Sequence, residues 1–375
     1  MASDSLIYKR VVIKAGTRLL TSGGTALNVD VLGSIARQIA QIRAFGAEVL
    51  LVSSGAVAAG RQTFASSDSH DSVANRQTLA AIGQPKLMST YSSLFNDLGI
   101  EIAQALVSHR DMIDRLSYLN VRNTLSSLLA YKVIPILNEN DVVAVEELGG
   151  EFAGDNDRLA ALIANVIEAD LLLLLGEVPG LYTADPNLDS TATLIPIIDS
   201  IDSRIEEIAK GTVTSEGTGG MTSKIAAAKL ATAAGTTVVI ADGNVEDVIL
   251  NIESGDPIGS KFLASATKLE SRKRWMLSNM SSAHSVTIDE GALKALLESG
   301  KSLLPAGITT IVGEFHRGDI IRIVTDSGRH IAGGITNYAS AELVKIAGQH
   351  SKEIIAILGY SYGDEAVHRD NLVLV

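Results

Sequence analysis

The stretch ADLLLLLG, residues 169–176, sets five leucines in a row between an aspartate and a glycine. A helix on a protein surface would show polar residues on one side, and a half-buried strand would alternate. An unbroken apolar run of this length reads instead as a strand buried on both faces of a parallel sheet. It is far short of the roughly 20 residues that a membrane-crossing helix needs. Five more runs share its character: RVVIKAG (10–16), AEVLLVSSG (47–55), IEIAQALVS (100–108), VIPILNEN (133–140) and TTVVIADG (236–243). Longer stretches with helical spacing lie between them, such as VDVLGSIARQIAQIRAFG (29–46) and LNVRNTLSSLLAYK (119–132). The alternation predicts an α/β fold, an open and mainly parallel sheet sandwiched by helices. Ligands in such folds bind beyond the carboxyl ends of the strands, where KAGT, SSGA and NEND are found.

The pattern changes near KLESRKRWM (268–276), a charged segment that holds the single tryptophan. Beyond it come a helical stretch, EGALKALLESG, and short strand-like runs: ITTIVGEF, DIIRIVT, HIAGGITN and ILGYS. The chain therefore divides into a domain over 1–265, a linker over 266–280 and a small β-rich domain over 281–375. SSDSHDSVAN (66–75) reads as a loop.

The bulk properties exclude several classes. The 375 residues carry a net charge of −12, which argues against a chain built as a whole to bind nucleic acid or anionic membrane. There are no cysteines, so disulfides and thiolate metal sites are absent. The opening MASDSLIYKRVVIKAG has no apolar run of signal-peptide length. A soluble cytoplasmic protein is the expectation.

Several polar clusters fall where chemistry is expected. Lys14 leaves the first run beside Gly16, and a glycine there lets a ligand approach the backbone. Ser53, Ser54 and Gly55 sit where strand turns to helix, a place that suits either a serine cap or an anion cradle. In NENDVVAVEELGGEFAGDNDRLAALIA (138–164), Asn138, Asn140, Asp141, Asp155, Asn156 and Asp157 crowd two strand ends. They could cap a helix, or hold the ammonium of an amino acid, or bind Mg²⁺, since the last two want hard oxygen ligands. Tyr182, Asp185 and Pro186 in GLYTADP suit a turn. GTGGMTSK (217–224) is a glycine-rich turn feeding a helix and bearing a lysine, which suggests phosphate binding. It lacks the G-x-x-x-x-G-K-[ST] order of the common phosphate loop. No histidine spacing suits a metal, and no G-x-S-x-G nucleophile turn is present.

Taken in order, VVIKAGT, VSSGAVAAG, AAIGQPKLM, NENDVVAV, GDNDRLAAL, GLYTADP and GTGGMTSKIAAA resemble the glutamate 5-kinases of the amino acid kinase superfamily. SLLPAGI, RGDIIRI and EIIAILGY resemble the PUA domain that follows the kinase domain in many of them. The resemblance covers nearly the whole chain. It implies ATP-dependent phosphorylation of the L-glutamate side-chain carboxylate, the first step of proline biosynthesis, with ATP and Mg²⁺ as cofactors. It also implies inhibition by proline and a homo-oligomer, dimer or tetramer. Lys14, Lys224 and Asp157 would be catalytic, with Asp157 organising the two lysines. Ser54, Gly55, Asn138, Asp141 and Asn156 would hold glutamate. Lys14, Gly16, Gly176, Glu177, Gly217, Thr218, Gly219, Gly220, Met221 and Lys224 would hold ATP, and no protein metal ligand is implied.

The chain departs from the family pattern at three places. Gly176 and Glu177 stand where Thr-Asp is usual, Arg18 stands where a small polar residue is common, and the segment between NEND and GDND is about three residues longer. Two other readings compete: an aspartate or acetylglutamate kinase of the same superfamily, or an RNA-binding PUA protein. From Met276 to Val375, 8 Lys plus Arg face 11 Asp plus Glu, a net charge of −3 that disfavours nucleic acid.

Overall fold

The computed structural model describes residues 6–24, 26–63, 72–144, 156–211, 220–268, 270 and 283–375. They form two compact units, Met1–Ile113 with Val121–Thr267, and Asp114–Asn120 with Lys268–Val375.

The first unit is built on an eight-stranded sheet. Its strands are β1 (Arg10–Ala15), β2 (Glu48–Ser53), β3 (Ile102–Val107), β4 (Ile134–Glu139), β5 (Leu171–Gly176), β6 (Ile197–Ile198), β7 (Thr237–Asp242) and β8 (Ser260–Phe262). The order is β3-β4-β2-β1-β5-β7-β8-β6. The first six in that order run parallel, and β8 closes antiparallel on β7. The leucine run is β5, paired between β1 and β7, with Leu171 to Leu175 all at 0% exposure. Burial on both faces is why that strand shows no alternation in its sequence.

The helices of this unit are α1 (Thr17–Thr21), α2 (Val29–Ala44), α3 (Ala56–Arg61), α4 (Val73–Asn96), α5 (His109–Ile113), α6 (Arg115–Ala130, whose first turns belong to the second unit), α7 (Asn156–Val166), α8 (Ser203–Gly211), α9 (Met221–Ala233) and α10 (Val248–Glu253). Asn28 caps α2 by accepting from the N–H groups of Asp30 and Val31. Leu32, Ile35, Ala36, Ile39 and Ile42 then form the stripe that α2 buries. They pack with Val11, Ile13 and Ala15 of β1 and with α4 and α10 in one core. The pleat turns Val12 and Lys14 to the other face, where α7 packs on β1 and on α9. One strand thus spends its odd residues on the core and delivers a lysine to the opposite side.

Ser72 caps α4 through the N–H of Asn75, so the loop expected over 66–75 has become helix by Val73.

The second unit has the strands β9 (Ser285–Ile288), β10 (Ile308–Val312), β11 (Ile320–Thr325), β12 (His330–Ile335) and β13 (Leu372–Leu374), in the order β10-β9-β11-β12-β13. Its helices are α11 (Glu290–Ser299), α12 (Ser340–Ile346) and α13 (Ile354–Leu358). Val286, Ile288, Ile321, Ile323, Phe315 and Tyr338 form its main core. A smaller cluster joins Ile320, Ile335 and Val373 to Tyr118 and Leu119, which is why Asp114–Asn120 belongs with this unit and not with the sequence around it. ILGYS, expected as a strand, is instead the end of α13 and the turn after it, closed by Gly359. Apart from Lys268 and Glu270, the segment 268–276 lies outside the described residues.

Candidate active site

The carboxyl ends of β1, β2, β4 and β5 lie level with one another. Lys14 pairs with Val52 and Leu174 in the sheet, and Val52 pairs with Leu137. The residues that follow, Gly16, Ser54, Asn138 and Gly176, therefore border one edge. The first turn of α7 brings Asn156 and Asp157 to it, and the first turn of α9 brings Ser223 and Lys224.

Asp157 is fully buried, and its two oxygens face two ammonium groups. Lys14 Nζ pairs with Oδ1, and Lys224 Nζ lies 2.9 Å from Oδ2. The Ser223 hydroxyl lies 3.1 Å from Oδ2 and 2.9 Å from the Gly220 carbonyl. Lys14 is 4% exposed and Lys224 7%, so both charges have left water. Burial pushes the Asp157 carboxyl up, but the charges of Lys14 and Lys224 outweigh it and hold the group down at about 2. It is ionised at every pH at which the protein would work. Two lysines and one carboxylate sum to a single positive charge inside the fold, an arrangement that suits an anion brought between the lysines.

Asn156, one residue earlier on α7, faces the other way. Its Nδ2 donates to the Ser53 carbonyl at 3.1 Å, to Ser54 Oγ at 2.9 Å and to Asn138 Oδ1 at 2.9 Å. Its Oδ1 is buried and has no hydrogen-bond partner among the described residues. Such an atom is costly unless a ligand donor meets it. Two anchors fix the orientation of these amides, since Asn138 Oδ1 also accepts the N–H of Glu139 at 2.9 Å. Ser53 Oγ lies 2.9 Å from Tyr91 OH, and burial raises the Tyr91 hydroxyl well above its ordinary range.

The profile of the amino acid kinase family matches residues 9–242, and that of the PUA domain matches residues 284–358. A glutamate 5-kinase of Dehalococcoides mccartyi is 47% identical over 98% of this chain and 99% of its own length. That of Deinococcus radiodurans is 46% identical over 98% and 100%, and that of Shewanella oneidensis 44% over the full length of both.

The chain belongs to the glutamate 5-kinase family.

It is accordingly a kinase, and kinases of this family use ATP. Residues expected at the nucleotide lie near one or other of the two lysines, Gly16 by Lys14 and Gly176 and Gly220 by Lys224. Gly176 lies beside the lysine stem: a Cβ there would be in ordinary contact with Lys224 Cε, at 3.5 Å. Gly16 donates to the Leu175 carbonyl at 3.1 Å and opens α1, and Gly220 opens α9 with Met221 buried behind it. The first N–H groups of a helix have no acceptor within it, so both glycine-led ends suit phosphate oxygens. Glu177 and Arg18, two of the departures from the glutamate 5-kinase pattern, pair with each other at 2.9 Å. Gly217, Thr218 and Gly219 lie outside the described residues, as does Asp155.

Gly55 opens α3 with φ of +101°, a conformation that L side chains rarely adopt, and no serine side chain caps that helix. Of the two readings of SSGA, the serine cap is therefore excluded. Asp141 sits in the turn after β4 and makes no hydrogen bond to Asn156 or Ser54. Burial raises its pKa, partly offset by the charge of Arg76. Asp185 organises its own turn, accepting from the N–H of Asn187 at 2.9 Å. Ser223 and Gln84 were not singled out from the sequence, although both lie within motifs quoted there. Gln84 Oε1 accepts from Asn138 Nδ2 at 2.9 Å. Among the described residues no group of three or more His, Asp or Glu side chains is arranged to hold a metal ion, and both Asp157 oxygens are turned to lysines.

Proposed function

We propose that this kinase transfers a phosphoryl group from ATP to the side-chain carboxylate of L-glutamate, giving L-glutamyl 5-phosphate, the first step of proline biosynthesis. The observation that carries this reading is the pair of buried lysines converging on Asp157 next to the orphaned Asn156 Oδ1. A side-chain carboxylate has an ordinary pKa of about 4.3, so it reaches the site already ionised and needs no general base. The barrier is the approach of one anion to another. Lys14 and Lys224 lower it by placing positive charge on both sides of the group in transit, and Asp157 keeps their ammonium groups apart and aimed. Asn156 Oδ1 accepts from the substrate ammonium, with Ser54, Gly55, Asn138 and Asp141 lining the amino acid. Gly16, Gly176, Glu177, Gly220, Met221 and the loop with Gly217, Thr218 and Gly219 border the nucleotide. Mg²⁺, held by the phosphates, supplies further charge neutralisation when bound.

Proline inhibition, a dimeric or tetrameric assembly and a cytoplasmic location belong to the same reading. No described helix is long and apolar enough to cross a membrane. In this reading 1–265 is the catalytic domain, 266–280 a linker and 281–375 a structural or regulatory domain. An ADP-release assay across L-glutamate, L-aspartate, N-acetylglutamate and carbamate tests it. Glutamate should be the preferred acceptor, and millimolar proline should lower its rate. Preference for aspartate or acetylglutamate would move the chain to another branch of the superfamily. Salt-sensitive binding of bulk RNA with no kinase activity would replace the reading altogether.

A further inference from the structure

Helix α4 reaches the site from behind. Its residue Gly83 lies so close to α3 that a Cβ there would stand 1.8 Å from the Ala56 carbonyl oxygen. This contact fixes the position of the next residue, Gln84, whose Oε1 accepts from Asn138 Nδ2 at 2.9 Å. Asn138 Oδ1 accepts in turn from Asn156 Nδ2, also at 2.9 Å. Main-chain groups that cannot exchange roles agree with this direction, the Glu139 N–H donating to Asn138 Oδ1 and the Ser53 carbonyl accepting from Asn156 Nδ2, and Gln84 Oε1 holds the remaining end of Asn138, its NH₂. With both amide atoms of Asn138 and the Nδ2 of Asn156 engaged, Asn156 Oδ1 is the one left over between these two asparagines, on a residue 7% exposed and with no hydrogen-bond partner among the described residues. Three amides in series therefore end in an acceptor, and an acceptor selects a donor.

We infer that Gln84 is a positioning residue for substrate specificity. Through Asn138 it holds Asn156 so that its carbonyl, and not its NH₂, meets the substrate, which makes the site demand an ammonium on the acid it phosphorylates. Gln84 reaches Asn156 through Asn138 and makes no hydrogen bond to Asp157, Lys14 or Lys224 among the described residues. The inference rests on the reading of the site as one for an amino acid, and it adds the device that rejects the same acid without its amino group. A buried group left unpaired by such an analogue is a strong basis for discrimination.

The test compares L-glutamate with glutarate, which keeps the carboxylates and lacks the ammonium, in the full-length enzyme with ATP. Glutarate is followed as a competitive inhibitor so that its binding is read whether or not it is phosphorylated. Gln84→Met keeps the length of the side chain and removes the acceptor; Gln84→Glu keeps an acceptor oxygen. For Gln84→Met the KM for glutamate should rise about tenfold, the equivalent of one weakened charge-assisted hydrogen bond. The Ki for glutarate, the KM for ATP and kcat should stay within about twofold of wild type, and Gln84→Glu should restore most of the glutamate preference. Equal weakening of glutamate and glutarate, or a parallel loss for ATP, would mean that Gln84 only supports the fold and would overturn the inference. So would an unchanged glutamate KM in Gln84→Met. Wild-type enzyme that phosphorylates no glutamate would sink the underlying reading, a result visible before any variant is made.

Discussion

Two buried carboxyls of the first unit stand at opposite ends of its sheet and behave in opposite ways. Asp157, at the carboxyl edge, is wrapped by two ammonium groups and held down at about 2. Glu253, at the end of α10 beside the start of β1, receives the Tyr8 N–H at 3.3 Å, and its Oε1 has no hydrogen-bond partner among the described residues. Burial, with a further push from the charge of Asp170, drives its carboxyl up to about 7. Asp170 itself is occupied in accepting the N–H groups of Lys9 and Arg10. Both acids have lost water, so burial alone decides nothing. The difference is the company each one keeps, and it separates a charged group built into a site from a group that folding would keep neutral.

Replacing Asp157 by Asn should have the largest effect, because it leaves two buried ammonium groups without the carboxylate between them. The variant should lose about 3–5 kcal/mol of stability together with nearly all turnover, read from urea melts and the ADP-release assay. A melt like that of wild type would show that the lysines do not need Asp157. Next comes Lys224→Ala, which keeps Lys14 beside the carboxylate. It should lower kcat on the order of a hundredfold, or about 3 kcal/mol, while the protein remains folded by circular dichroism. A folded variant with near-normal kcat would remove Lys224 from the chemistry.

Glu253 tests the other half of the contrast. Its folded pKa is raised from 4.5 to about 7, so the native state holds a proton that the unfolded chain has given up. Stability from this group is full below 4.5 and drains away as pH rises through about 7. Glu253→Gln should therefore match wild type at pH near 4.5 and exceed it at pH near 8, by a few degrees in melting temperature. Asp157 has the reverse sign: its contribution is present above 3.8 and is lost only as pH falls toward 2. Equal pH profiles for wild type and Glu253→Gln would break the comparison. The smallest effect belongs to Arg18→Ala. Its pair with Glu177 is largely exposed and worth about 0.2–1 kcal/mol, so the melting temperature should barely move. A change in the KM for ATP without one in kcat would tie that pair to the nucleotide.

Much of this was open to reading. The strands that became β1, β2, β4, β5 and β7 declare themselves because both of their faces are buried, which writes an unbroken apolar run into the chain. Lys14 could be placed at a strand exit, and the pairing of Lys14, Asp157 and Lys224 followed from resemblance. What stayed hidden was contact between residues distant in sequence. Nothing local to Asp141 announces that Arg76 will be its charged neighbour, and nothing local to Gln84 announces that Asn138 will be its partner. ILGYS reads as a strand because a single apolar turn of helix looks the same as a short strand; its packing in the second core decides the matter. The strands β9 and β13 span only four and three residues and exist through the partners they find across the unit.

The alternating faces of β1 set a limit on how this chain can change. Substitutions along the strand are local events, since each alters one neighbour on one side. A codon lost or gained between Arg10 and Ile13 is different: it turns every later residue over, sends the ammonium of Lys14 into the packed layer against α2, and offers Asp157 an alkyl group in its place. The strand tolerates new letters far better than a new length, so homologues should vary in the composition of this segment while keeping its residue count.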